Sequence, residues 1–194
     1  MRFLTHPLLF YPLALIVAGL IVLIGLEPQR WAREPRPIEA ERQGETLVLA
    51  GDAFDAPSPS PDQNMKVVRN FWGEAQALRI AVLPGQPEPT PAERGVRILL
   101  SPEDAAFIED RPVVVEVSYD VMTMNTAPAL AVSLQGIAPA DWVRQDVPAE
   151  PGVLRFELPP QFAVDGIGFR AIATNDDQAY GLEITNVRIT PRAS

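Results

Sequence analysis

Residues 112–121 read PVVVEVSYDV, and their period of two decides the fold. Val113, Val115, Val117, Tyr119 and Val121 alternate with Val114, Glu116, Ser118 and Asp120. Successive side chains of an extended chain point to opposite faces, so this pattern predicts a strand with one face buried. The same alternation recurs on both sides. It places Leu78, Ile80 and Val82 on one face, then Val96, Ile98 and Leu100, then Leu130, Val132 and Leu134. Further on it places Leu154, Phe156 and Leu158, then Ile167, Phe169, Ala171 and Ala173. The last run, GLEITNVRIT (181–190), keeps Leu182 and Ile184 on one parity and Val187 and Ile189 on the other. A bulge near Thr185–Asn186 would put all four on one face.

TLVLA (46–50), KVVRNFW (66–72) and a short piece near Trp142 bring the expectation to about nine or ten strands. The one helical turn expected among them is SPEDAAFIED (101–110). Ser101 is placed to cap it, Pro102 suits the first helical position, and Glu103 and Asp104 suit its positive end. The 21 prolines oppose a helical bundle. Two proline-rich stretches, 56–64 and 84–94, read as loops. The expected body, residues 46–194, is a mostly β, two-sheet sandwich.

The N-terminal region is different in kind. After a short tail (1–7), residues 8–26 read LLFYPLALIVAGLIVLIGL without a charge. As a helix they would be about 28 Å long, close to the hydrocarbon thickness of a bilayer. The run exceeds the apolar core of a secretory signal and lacks a small-x-small cleavage site after it. It therefore reads as a single transmembrane helix with Tyr11 and Trp31 near its ends. Residues 27–45 follow as a polar linker. The flanking arginines, counted literally, would keep the C-terminal side in the cytoplasm. The short N-terminal tail and a cysteine-free β-domain favour instead an inner-membrane anchor with a periplasmic domain. Ala14, Ala18 and Gly25 lie on one side of the helix, where small residues let another membrane helix approach.

Charge and composition exclude several chemistries. The 16 basic and 25 acidic residues leave −9; without Arg2, which precedes the apolar run, the balance is −10. Such a domain repels phosphate backbones, so nucleic acid is not an expected partner. There is no cysteine, and the single histidine, His6, precedes the apolar run. Nucleophilic triads and zinc sites thus lack their usual members. No Gly-rich phosphate loop appears. Glu116 and Asp120 share a strand face about 13 Å apart, too far for paired-carboxylate glycoside cleavage. The chain is expected to bind rather than to catalyse.

The order of strands in the second half carries a resemblance. PVVVEVSYDV is followed by ALAVSLQG, VLRFELPP, GIGFRAIATN and a closing GLEITNVRI. Over about residues 46–190 this resembles the jelly-roll sandwiches of carbohydrate-binding modules and galactose-binding-like domains. The resemblance implies a jelly-roll-like sandwich and glycan recognition through exposed aromatics. It also implies an aspartate in the closing strand for a structural calcium. Thr185 and Asn186 occupy that stretch here, a departure that weakens the calcium expectation.

Candidate binding residues follow from what sugars offer. Aromatic faces stack on sugar rings, and planar polar groups meet hydroxyls. Trp72, Trp142 and Tyr180 are the aromatic candidates; Arg170, Asp177 and Gln178 are the polar ones. No cofactor is expected, with calcium the one metal worth testing because it takes several oxygen ligands. Its candidates are Asp52 and Asp55 in the loop from Gly51, and Asp176 in TNDDQ. Two functions are consistent with these readings. One is a membrane-anchored glycan-binding module of the cell envelope. The other is an accessory subunit docked on other inner-membrane proteins.

Overall fold

The computed structural model describes residues 7–26, 33–61, 63–84, 93–139, 141–173 and 178–192. The chain divides into two compact units, Met1–Ala32 and Arg33–Ser194.

The first unit contains one helix, α1 (Pro7–Leu26), with Pro12 inside it. Its described side chains run from Phe10 to Val22, with Gly25, and all are exposed, Ala14 and Ala18 among them. Among the described residues no helix is long and apolar enough to cross a membrane. The transmembrane reading of 8–26 therefore rests on sequence.

The second unit is a sandwich of two antiparallel sheets. Its strands are β1 (Glu41–Gln43), β2 (Thr46–Ala50), β3 (Gln63–Arg69), β4 (Ala75–Val82), β5 (Val96–Leu99) and β6 (Val113–Val121). They continue with β7 (Ala129–Gly136), β8 (Val143–Asp146), β9 (Gly152–Leu158), β10 (Val164–Ile172) and β11 (Tyr180–Pro191). β11 organises the seven-stranded sheet. One of its edges pairs with β6, which pairs with β9. Its other edge is shared: Tyr180–Ile184 pair with β4, whose other partner is β3, and Asn186–Ile189 pair with β2, which pairs with β1. The second sheet has the order β5-β10-β7-β8.

The alternating residues meet between the sheets. Val115, Val117, Phe156, Ile184, Val187 and Ile189 from one sheet join Ile98, Leu130, Val132, Ile167 and Phe169 from the other in one fully buried core. Each such side chain contributes about 1.5–3 kcal/mol of apolar burial. The parity change in the closing strand is a register shift between Ile184 and Asn186 against β6, which turns Val187 and Ile189 inward as expected. The helical turn is α2 (Pro102–Ile108), capped by Ser101, whose side chain accepts from the Asp104 N–H.

Two expectations differ. The strand expected over 66–72 starts earlier and ends at Arg69, because Asn70 folds its side chain back onto the chain. The polar stretch 27–45 is not all linker, since from Arg33 it is built into the sandwich. Arg33 and Arg36 pair with Asp55. Ile38 bridges Leu100 in parallel. The Ala40 N–H donates to Asp104 Oδ2 at 2.9 Å, and Arg42 pairs with the same carboxylate at 3.2 Å. Its charged composition matches two buried carboxylates rather than solvent.

Candidate functional site

The hairpin between β3 and β4 carries the most exposed aromatic pair of the sandwich. Phe71 is 79% and Trp72 78% exposed, with ring centroids 5.2 Å apart and planes at 82°. The turn beneath them is tightly made. Asn70 Oδ1 accepts from the N–H groups of Trp72 (2.9 Å) and Glu74 (3.0 Å), and Asn70 Nδ2 donates to Glu74 Oε2 at 2.6 Å. The Asn70 N–H donates to the Glu74 carbonyl at 2.9 Å, and the Gly73 N–H to the Asn70 carbonyl at 3.1 Å. Gly73 has φ 86°, a conformation that glycine adopts at no steric cost.

The base of this hairpin is pinned by charge. Arg69, its side chain only 2% exposed, pairs with Asp55 Oδ1. It also donates to the Gly73 carbonyl and the Asp55 carbonyl, each at 3.0 Å. Asp55 Oδ2 receives Arg33, and Arg36 at 3.5 Å. One buried carboxylate thus ties the start of the domain, the 3-10 turn Gly51–Phe54 and the aromatic hairpin together. Three guanidinium groups around Asp55 supply the positive charge that a calcium ion would bring, and a dication there would be repelled. Asp55 is therefore a structural anion rather than a calcium ligand. Asp52 is exposed, and its carbonyl accepts the Asp55 N–H at 3.1 Å. Asp176 lies outside the described residues, among which no cluster of three or more His, Asp or Glu gathers.

Trp142 occupies a different environment. It packs on Ala129, Ala131 and Ile172, on the outer face of the four-stranded sheet. Its indole Nε1 donates to the Glu93 carbonyl at 3.1 Å. Arg170, fully buried, pairs with the carboxylate of the same Glu93. The structure thus brings Trp142 and Arg170 together through Glu93, in a packed cluster whose guanidinium is sealed from solvent. Gly95, at φ +59°, passes so close that an added Cβ would sit 2.8 Å from Trp142 Cη2 and 2.7 Å from the Phe169 carbonyl oxygen.

Tyr180 is half-buried against the core and pairs with Val82. Gln178 is exposed beside it in sequence, and Asp177 lies outside the described residues. Tyr180 meets the Val82 end of β4, whereas Trp72 stands beyond its Ala75 end. Seven strand steps, about 24 Å, separate the two ends. The three aromatic candidates therefore do not form one platform.

No family model and no curated protein matches this chain. Among solved structures it is similar to a carbohydrate-binding module described as BiXyn10A CBM1 in its apo form. That match has 10% identity and a TM-score of 0.46, over 79% of this chain and 99% of that one. It is also similar to the CBM22-1–GH10 modules of Clostridium thermocellum xylanase 10B complexed with xylohexaose, with 12% identity and a TM-score of 0.44. That overlap covers 76% of this chain and 29% of the other. A third similarity is to the Bacillus thuringiensis insecticidal crystal protein Cry7Ca1, with 11% identity and a TM-score of 0.41, over 81% and 24%. This chain spans under a third of the length of the last two. At this level of likeness nothing about ligand or activity carries over.

Sequence reasoning named Trp72 but missed Phe71, its partner at the tip. The signal was present as N-F-W-G-E: an asparagine able to cap its own turn, followed by a glycine three residues on.

Proposed function

We propose that this chain is a membrane-anchored, extracytoplasmic binding domain without catalysis, and that it recognises glycan through the Phe71–Trp72 tip. The observation that carries the reading is Trp72, 78% exposed on a turn whose backbone is fixed by Asn70 and Gly73. A large apolar ring held in water on a rigid mount loses little entropy on binding. Sugar rings present apolar C–H faces to such a surface, and the Glu74 side chain stands beside it for hydroxyls. The absence of cysteine and of histidine beyond His6 supports a non-catalytic role. The charge-free run 8–26 supports the anchor.

Two measurements test this reading. Full-chain protein should remain in membranes after alkaline carbonate extraction. In detergent it should bind members of a broad glycan array, and Trp72→Ala should abolish that binding while leaving the fold intact. Release by carbonate would remove the anchor from the reading; an array without signal would remove the glycan.

A second reading, an accessory subunit of a membrane complex, has its own observation. Ile137 (84%) and Phe162 (64%) are exposed apolar side chains on neighbouring backbone, where Gly136 packs against the Phe162 and Ala163 carbonyls. Gentle extraction that recovers the protein in a larger assembly would favour it.

A further inference from the structure

We infer that the cavity beside Asp165 is a binding site for a small monocarboxylate, with its charge on Arg94 and Arg97 and its apolar body against Leu100, Pro102 and Val164. This site is separate from the Phe71–Trp72 tip and does not rest on the reading above. The cavity holds about 480 Å³, inside the range of about 300–1,000 Å³ that small-ligand pockets occupy. It lies where β5 meets β10, and fixed backbone frames it. Arg97 exchanges both of its backbone hydrogen bonds with Ser58, at 2.7 and 2.9 Å, and the Leu100 N–H donates to the Asp165 carbonyl at 3.0 Å. Asp165 is the residue at which β10 shifts its register against β7, between Val164 and Gly166. A bulge of this kind takes a side chain out of the strand's alternation and re-aims it. Here it brings a carboxylate to two guanidinium groups.

The charges of this cavity do not balance. Arg94 Nη1 and Arg97 Nη1 share a single oxygen, Asp165 Oδ2, each at 3.5 Å. That is longer than a charge-assisted N–H···O bond, about 2.7–2.9 Å. Asp165 Oδ1 is buried and meets no hydrogen-bond donor among the described residues. Two guanidinium groups against one carboxylate leave a positive charge over among the described lining residues. Burial lowers the Arg97 pKa, Asp165 raises it, and Arg94 lowers it again. A second anion would relieve both arginines. Arg97 is already held for it, because its Nη2 donates to Ser58 Oγ at 3.3 Å, while half-exposed Arg94 reaches in from the rim. A planar carboxylate matches the donor forks of such side chains. Buried Leu100 and Val164, with Pro102 at the edge, make the remaining wall apolar. Inorganic phosphate would leave that wall wet, whereas the hydrocarbon body of an organic acid would cover it.

The test uses full-chain protein in detergent, with para-fluorobenzoate as the probe, fluorine NMR as the readout and protein-free micelles as the blank. The uncharged para-fluorobenzamide has nearly the same shape. Saturable binding of the benzoate, with the amide at least about tenfold weaker, is the expected result. Unlabelled benzoate should displace the probe, and inorganic phosphate at the same concentration should not. Arg97→Gln and Arg94→Gln should each weaken binding at least about tenfold; the second replaces a half-exposed side chain, so it keeps the fold even if the first does not. Arg188→Gln, in the seven-stranded sheet, should bind as the unaltered protein does. No saturable response from the unaltered protein would overturn the inference, as would equal binding of the amide. Displacement by phosphate would make this a general anion site and overturn the carboxylate assignment. Unchanged binding in Arg94→Gln, or an equal loss in Arg188→Gln, would place the probe elsewhere and overturn it too.

Discussion

The side-chain amide of Gln63 makes both hydrogen bonds that a neighbouring strand would make to Ala171. Its Nε2 donates to the Ala171 carbonyl and its Oε1 accepts the Ala171 N–H, each at 3.1 Å. Gln63 begins β3 in one sheet and Ala171 lies in β10 of the other, so one buried side chain stitches the two layers at this end. Gln63→Ala leaves a buried donor and a buried acceptor unpaired. It should lower stability by about 2 kcal/mol, read as a lower urea midpoint at unchanged slope.

Asp55 and its arginines predict an asymmetry. Asp55→Ala strands the buried Arg69 guanidinium and should cost about 3–5 kcal/mol. Arg33→Ala removes a partner that is 50% exposed and should cost under about 1 kcal/mol. Equal costs for the two would show that Arg69 does not depend on this carboxylate. Added calcium should leave the melting temperature of the unaltered protein unchanged.

The two described tryptophans of the sandwich should separate stability from binding. Trp72→Ala touches no core and should change stability by less than about 0.5 kcal/mol while removing ligand binding. Trp142→Ala empties the apolar cover of Ala129, Ala131 and Ile172 and should cost about 2 kcal/mol. Its effect on the tip should be nil. Paired thermal melts and glycan-array binding on both variants decide the matter.

Tyr119 sets an alkaline limit. Burial pushes its phenol above the ordinary tyrosine range, and its hydroxyl donates to the Glu150 carbonyl at 2.9 Å. A raised folded pKa means that the stabilisation is complete below the unfolded value, about 10, and is lost as pH rises through the folded one. Stability should therefore fall in strong alkali, and Tyr119→Phe should flatten that fall. At neutral pH the same variant should lose about 1 kcal/mol, the worth of the hydrogen bond. Urea midpoints across an alkaline series provide the measurement.

Much of the sandwich was legible because its information is local. The alternation in 113–121 reports a strand whichever strand it pairs with, and the parity change at Thr185–Asn186 reports a bulge without knowledge of the partner. Ser101 and Pro102 marked the start of α2 in the same way. The linker was misjudged from Arg33 onward for the opposite reason. Arg33, Arg36 and Arg42 look solvated until Asp55 and Asp104, up to 62 residues away, are brought under them.

By itself the sequence determined most of the strands and the inward face of the alternating ones, the apolar N-terminal run, and the lack of catalytic histidine and cysteine. Those properties depend on residue type and on spacing along one element. Only the tertiary structure decided that Trp72 faces water while Trp142 is packed down. The same folding turned Asp55 into an arginine-bound anchor and sealed Arg170 against Glu93. Exposure and charge pairing are set by neighbours distant in the chain, which no period within a strand can encode.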